Sequence, residues 1–348
     1  MKRRGLFTLT AAAVGAGIGI AAEKSILKRR RRNDPEAGED FGSRRGTRAR
    51  TIDLDDGAQV FVEEVGPRSN SGAVFVHGSA LRTDMWHYQM EGLGGHRLVF
   101  CDLRGHGHSQ PKGKTSYSLA TLAADLEAVI AAAGLTEVVI VGHSVGGMVA
   151  LELCVRKPEL LGSVVKGLVL VNTTYGPVAE TLIGSGVGLA RLERVTRKPF
   201  DMLGLQHERI ERLRRLVKPS DAIFWGIALA GFGPNASPKQ IDFTYQMISE
   251  TPVDVIFDLI RSYRDFDVTG RLGEVTVPAL VVGGTHDRLT VARASEYLAE
   301  HLPKAELKMF EGCGHMSMME RHRDFNRGVV GFLDDTLGPV KKSTRTRK

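Results

Sequence analysis

A run of β-branched residues, Val138-Val139-Ile140-Val141, ends directly on Gly142-His143-Ser144-Val145-Gly146. A short apolar run of this kind reads as a buried strand. The adjoining stretch, Gly147-Met148-Val149-Ala150-Leu151-Glu152-Leu153-Cys154, reads as a helix. A serine at the tip of so tight a strand-to-helix turn must take a strained backbone conformation. Small residues two positions to either side then keep strand and helix from colliding. In isolation the pentapeptide is an ordinary turn; between a buried strand and a helix it predicts a serine hydroxyl presented at the end of a sheet.

Similar apolar runs recur along the body. Thr51-Ile52-Asp53-Leu54, Asp55-Asp56-Gly57 and Gln59-Val60-Phe61-Val62 read as a hairpin with an Asp-Gly turn. Ala73-Val74-Phe75-Val76, Leu98-Val99-Phe100-Cys101, Val138 to Val141 and Gly167-Leu168-Val169-Leu170-Val171 come next, separated by helical stretches. After a long interruption come Ala279-Leu280-Val281-Val282 and Ala305-Glu306-Leu307-Lys308-Met309-Phe310. Such alternation predicts an α/β fold: a mostly parallel eight-stranded sheet with helices on both faces, entered through an antiparallel edge. Ligands of such sheets sit at the carboxyl ends of the strands. Asn172 to about Phe266 lacks strand alternation and has Arg-heavy helical faces, as in Arg209-Ile210-Glu211-Arg212-Leu213-Arg214-Arg215-Leu216. It reads as a helical lid inserted between strands six and seven. The body thus divides into a first core part (50–172), a lid (173–270) and a second core part (271–338), with no internal repeat.

The formal net charge of +7 is unevenly placed. Residues 1–50 carry 13 Lys/Arg against 5 Asp/Glu, and the basic tail 339–348 carries 5 Lys/Arg and no acid. The termini at +8 and +5 leave −6 for the residues between them. A mildly acidic body argues against a nucleic-acid-binding face; the positive charge lies where membrane topology or headgroups would use it. Lys2-Arg3-Arg4 precede a 17-residue apolar run, Leu6 to Ala22, and Lys24, Lys28 and Arg29-Arg30-Arg31-Arg32 follow it. That length is the lower limit for a bilayer span. The heavier basic cluster after the run favours residues 1–23 as a membrane anchor that keeps the body on the cytoplasmic side. The alternative is export, because Arg3-Arg4-Gly5-Leu6-Phe7 looks like a twin-arginine signal and Ile20-Ala21-Ala22 like a cleavage site. Residues 24–49 read as a basic disordered linker. Cys101, Cys154 and Cys313 form neither a disulfide framework nor a cluster with metal spacing.

His77-Gly78 stands after the third strand, and Asp102-Leu103-Arg104-Gly105-His106-Gly107-His108-Ser109 after the fourth. Pro278-Ala279-Leu280-Val281-Val282-Gly283-Gly284-Thr285-His286-Asp287 surrounds the seventh, and Gly312-Cys313-Gly314-His315 lies beyond the eighth. With the Gly-x-Ser-x-Gly turn, these make the chain resemble the α/β-hydrolase family over about residues 50–338, in the family's order Ser…Asp…His. The resemblance implies Ser144 as nucleophile, His315 as base and Asp287 as the acid that orients it. It implies an oxyanion hole from the backbone N–H groups of Ser79 and Val145, and no metal or organic cofactor. Asp102 is a rival carboxylate, expected in a structural loop as the ion-pair partner of Arg104. Some relatives carry the acid after strand six, where this chain has Asn172. His77 is expected to brace its loop, and His106, His108 and His143 to serve tight turns. Trp86, Met316, Met318 and Met319 are candidates to line the pocket.

Serine chemistry excludes the relatives that open an sp³ carbon with a carboxylate, since serine would form a dead-end ether there. The first expectation is a serine hydrolase cleaving a carboxylic ester, or a similar acyl bond, of a small to medium apolar substrate. An acyltransferase or cofactor-free, chloroperoxidase-like perhydrolase on the same residues is the alternative, and water exclusion by the lid decides between them. A catalytically silent receptor or scaffold is the third reading; such proteins usually lack one of the three residues, and none is lacking here.

Overall fold

The computed structural model describes residues 24–93, 95–111, 116–176, 199, 201–202, 204–216 and 220–339. The apolar runs become eight strands: β1 Arg48–Asp53, β2 Gln59–Val65, β3 Ser71–Val76, β4 Arg97–Cys101, β5 Glu137–His143, β6 Val165–Val171, β7 Ala279–Gly284 and β8 Ala305–Phe310. They form one sheet in the order β1-β2-β4-β3-β5-β6-β7-β8. β1, β2 and β4 pair antiparallel, and every pairing from β4 through β8 is parallel. The antiparallel edge and the parallel body are as the sequence predicts.

The central strands are continuous apolar runs because both their faces are covered. Val74, Val76, Val138, Ile140, Leu168, Leu170 and Val281 face one core. Their alternating neighbours Ala73, Phe75, Val139, Val141, Val169, Val171 and Val282 face the other. The first face is covered by α3 (Leu119–Ala132), α4 (Val145–Arg156) and α9 (Ala292–His301), through residues such as Leu126, Met148 and Leu298. The second is covered by α2 (His87–Gly92) and α11 (His322–Leu337), through Met90, Phe325, Val329 and Leu333.

Between β6 and β7 the described residues form α5 (His207–Leu216), α6 (Asp221–Gly231), α7 (Pro238–Glu250) and α8 (Val253–Tyr263). Ser220 and Ser237 cap α6 and α7 by accepting the amides of Ile223 and Gln240. Residues 177–198 of the expected lid lie outside the described residues.

The stretch expected as a disordered linker differs. Residues 24–32 (α1) are helical, and Leu27 is buried. Arg30 donates to the Ala236 carbonyl at 2.8 Å, and Arg31 pairs with Asp242. Asp34 accepts the Lys239 amide and the Ser237 hydroxyl, and Phe41 stacks on Phe243. Basic residues beside an acidic body, with Leu27 and Phe41 as apolar anchors, dock a segment whose composition alone says coil. β1 likewise begins at Arg48, earlier than read. The segments 1–23 and 340–348, with the anchor or export signal and the basic tail, lie outside the described residues. No helix among the described residues is long and apolar enough to cross a membrane.

Candidate active site

Ser144 sits between β5 and α4 with φ +53° and ψ −119°, a conformation disfavoured for any residue with a Cβ. Its amide is tied to Val171 O at 2.9 Å, and its carbonyl accepts the Thr173 hydroxyl at 2.6 Å. A Cβ on Gly146 would collide with Val76 O, and one on Gly142 with the Gly146 carbonyl. The small residues are therefore needed on both sides of the turn, for the crowding reason read from the spacing.

Asp287 follows β7 and His315 lies in the loop after β8. Asp287 Oδ2 accepts the His315 Nδ1 proton at 2.9 Å, the Thr290 hydroxyl at 2.7 Å and the Asn172 amide at 2.8 Å. Its Oδ1 accepts the backbone amides of Leu289 and Thr290, both at 2.9 Å. Burial would raise this carboxyl. The charge of His315 and the hydrogen bonds from His315, Thr290 and Asn172 outweigh it and hold Asp287 below its ordinary value. An ionised Asp287 fixes the proton of His315 on Nδ1 and leaves Nε2 with its lone pair.

Ser79, Ser144, Val145 and His315 share the wall of one cavity of about 290 Å³, otherwise lined by groups such as Leu81, Met148, Ile227, Ile248, Leu289 and Met316. Val145 is the first residue of α4, so the positive end of that helix dipole is directed here. Neutral histidines brace the surrounding loops. His77 donates from Nδ1 to Gly78 O at 2.8 Å and accepts the Leu103 amide on Nε2 at 2.8 Å. His106 accepts the Ala80 amide at 3.2 Å, holding Ala80 at φ +58° next to Ser79. His143 donates to His315 O at 3.0 Å. Burial lowers all three rings, His106 to about 3.

Two expectations need correction. Asp102 does not pair with Arg104: it accepts the amides of Thr83 and His108 at 2.7 and 2.8 Å, folded over Gly107 where a Cβ would collide with it. Arg104 turns away to Asp125 and Asp56. Of the proposed lining residues, only Met316 reaches the cavity. Trp86 packs edge-on against Phe75, and Met318 and Met319 are buried in the same core. Asn172 and Thr290 were missed as partners of Asp287. Thr290, three residues beyond an aspartate, has a cap-like spacing that could have revealed it; Asn172 stands where some relatives carry the acid, which marked the position and not its bond to Asp287. Among the described residues no group of three His, Cys, Asp or Glu side chains could hold a metal ion.

A family model described as alpha/beta hydrolase fold matches residues 74–322. The chain is 29% identical over 294 residues to a non-heme chloroperoxidase of Streptomyces lividans, covering 81% of this chain and 99% of that protein. It is 25% identical over 277 residues to the putative carbamate hydrolase RutD of Variovorax paradoxus, covering 79% and 96%. Among solved structures it is similar to an esterase from Exiguobacterium antarcticum, with TM-score 0.64, 22% identity and coverage of 82% and 98%.

Proposed function

The chain belongs to the alpha/beta hydrolase fold family and is an enzyme, and from that premise we propose that it is a serine hydrolase cleaving a carboxylic ester or similar acyl bond. Ser144 Oγ attacks the substrate carbonyl while His315 Nε2 takes its proton. The oxyanion is held by the N–H groups of Val145 and Ser79, each such donor being worth about 3–4 kcal/mol in the transition state. His315 then returns the proton to the leaving alcohol, and an acyl-enzyme remains. Water, deprotonated by His315, releases the acid and restores Ser144. Asp287 keeps the ring in the tautomer this needs. The observation that carries the reading is the 2.9 Å bond from His315 Nδ1 to Asp287, on a ring that shares a cavity wall with the strained Ser144. A fluorophosphonate probe should label the wild type and spare Ser144→Ala; equal labelling of both, or of neither, sinks the assignment of Ser144 as nucleophile.

An apolar wall and a volume near 290 Å³ favour a small to medium apolar acyl group. Acyl transfer or perhydrolysis is the second reading, and the chloroperoxidase similarity favours the peroxide branch. Water, alcohol and peroxide compete for one acyl-enzyme, so the product ratio from a mixture separates them.

Residues 6–22 complete the proposal as a membrane tether, with twin-arginine export as its rival. The support is the apolar run and the basic residues on both its sides.

A further inference from the structure

Glu320, in the short helix α10 (Ser317–Glu320), takes no part in the chemistry above, yet its side chain touches both the lid and the loop that presents His315. Its Oε1 accepts the amide of Gly314, the residue before His315, at 2.8 Å. Its Oε2 accepts the amide of Gly233, in the turn after α6, at 2.9 Å. Alongside, the Met316 amide donates to Gly231 O at 3.1 Å. The two backbones are in direct contact here: a Cβ on Gly314 would collide with Phe232, and one on Gly233 with Gly312 O. Gly226, Ile227, Ala230 and Gly231 of α6 in turn line the cavity.

We propose that Glu320 is a positioning residue for the hydrolase reaction, a two-pronged acceptor that holds the lid helix and the His315 loop in one register. The proposal rests on the hydrolase reading of Ser144 and His315. A lid displaced at Gly233 drags Gly314, and with it the ring that must meet Ser144. Only a carboxylate can serve both amides, because a glutamine offers one oxygen and would turn an NH₂ toward the second N–H.

The site holds this charge against its own stability. Burial pushes the Glu320 carboxyl up to about 7, the Gly233 and Gly314 amides oppose that, Asp287 adds to it and Arg321 reduces it. Cys313, Glu36 and Glu311 line the pocket beside Glu320 with Arg321, and Arg30 donates to Ala236 O in the same turn as Gly233. A carboxyl raised on folding stabilises the fold below its unfolded value and loses that contribution as pH rises through about 7. Glu320→Gln removes that charge cost above neutrality but leaves one backbone N–H facing an NH₂, so its melting temperature serves as the check that the fold is kept.

The test compares full-length wild type, Glu320→Gln and Glu320→Ala in p-nitrophenyl ester hydrolysis from about pH 5 to 9, alongside melting temperature. Glu320→Gln should keep its fold and KM and lose about 10- to 100-fold in kcat, the scale of a small misplacement of a reacting group. The acid limb of log kcat/KM should be steeper than one proton in wild type and single-proton in Glu320→Gln. Wild-type kcat with an unchanged acid limb in the variant overturns the proposal. Amide exchange at Gly233 and Gly314 gives a readout free of activity. Both should exchange slowly in wild type, and at least one faster in Glu320→Gln; unchanged protection also overturns the proposal. A protein that fails to hydrolyse or to react with fluorophosphonate, yet gives this exchange result, refutes the hydrolase reading and leaves the lid–loop tie standing.

Discussion

Five donors converge on the two carboxylate oxygens of Asp287: two backbone amides, a threonine hydroxyl, the Asn172 side chain and the His315 ring. That crowd dictates what an amide would do in its place. In Asp287→Asn the single oxygen is claimed by the Leu289 and Thr290 amides, and the NH₂ faces His315. The imidazole must then accept on Nδ1 and carry its proton on Nε2, where it cannot act as a base. The expected loss is about 10,000-fold in kcat with the fold retained, measured by ester hydrolysis and circular dichroism. A fall of less than about tenfold would mean the carboxylate does not set the tautomer. At this scale Ser144, Asp287 and His315 were legible as candidates because each stands in a glycine-marked turn next to a strand. Thr290 left only its cap-like spacing three residues after Asp287, and the bond from Asn172 left none, since it joins positions 115 apart in the chain. Asp102 and Arg104 were misread as partners because two positions in a turn can face opposite ways.

Strands and helices are legible wherever hydrophobic period extends over a whole window, as in β5, β6 and α3. The arm of residues 24–46 is the contrary case. Its anchors are isolated: Leu27, Arg30, Asp34 and Phe41, spread through a charged sequence that averages to coil. It continues across α2, where Glu36 accepts the Tyr88 hydroxyl and Glu39 contacts His87. The arm thus lies on both α7 and α2. Leu27→Ala should cost about 2–3 kcal/mol of docking, at the low end for a buried leucine. Limited trypsin digestion reads it directly, as faster cleavage after Arg29 to Arg32 in the variant. Equal rates in wild type and variant would mean the arm is not held.

The whole molecule separates its charge, with an acidic body between basic ends, and α1 sets two of those basic residues, Arg30 and Arg31, on the lid. If residues 1–23 tether the chain, the tagged full-length protein should pellet with membranes, resist extraction by about 1 M salt and yield to detergent. Deletion of those residues should release it. Pelleting that survives the deletion would refute the tether, and an exported chain shortened near residue 22 would select the twin-arginine rival. By itself the sequence determined the sheet, its two-faced core, the helical insertion after strand six and the turns that carry the candidate residues. Hydrophobic period and glycine spacing are local physical signals, complete before the chain folds. Only the tertiary structure decided that Asp102 serves loop amides, that Asn172 and Thr290 hold Asp287, that Glu320 joins lid to loop, and that the arm docks. The bonds from Asn172 to Asp287, from Gly233 to Glu320 and from the arm to the lid join positions far apart in the chain, and the shorter-range ones depend on how each turn is folded; neither geometry exists until packing has brought the elements together.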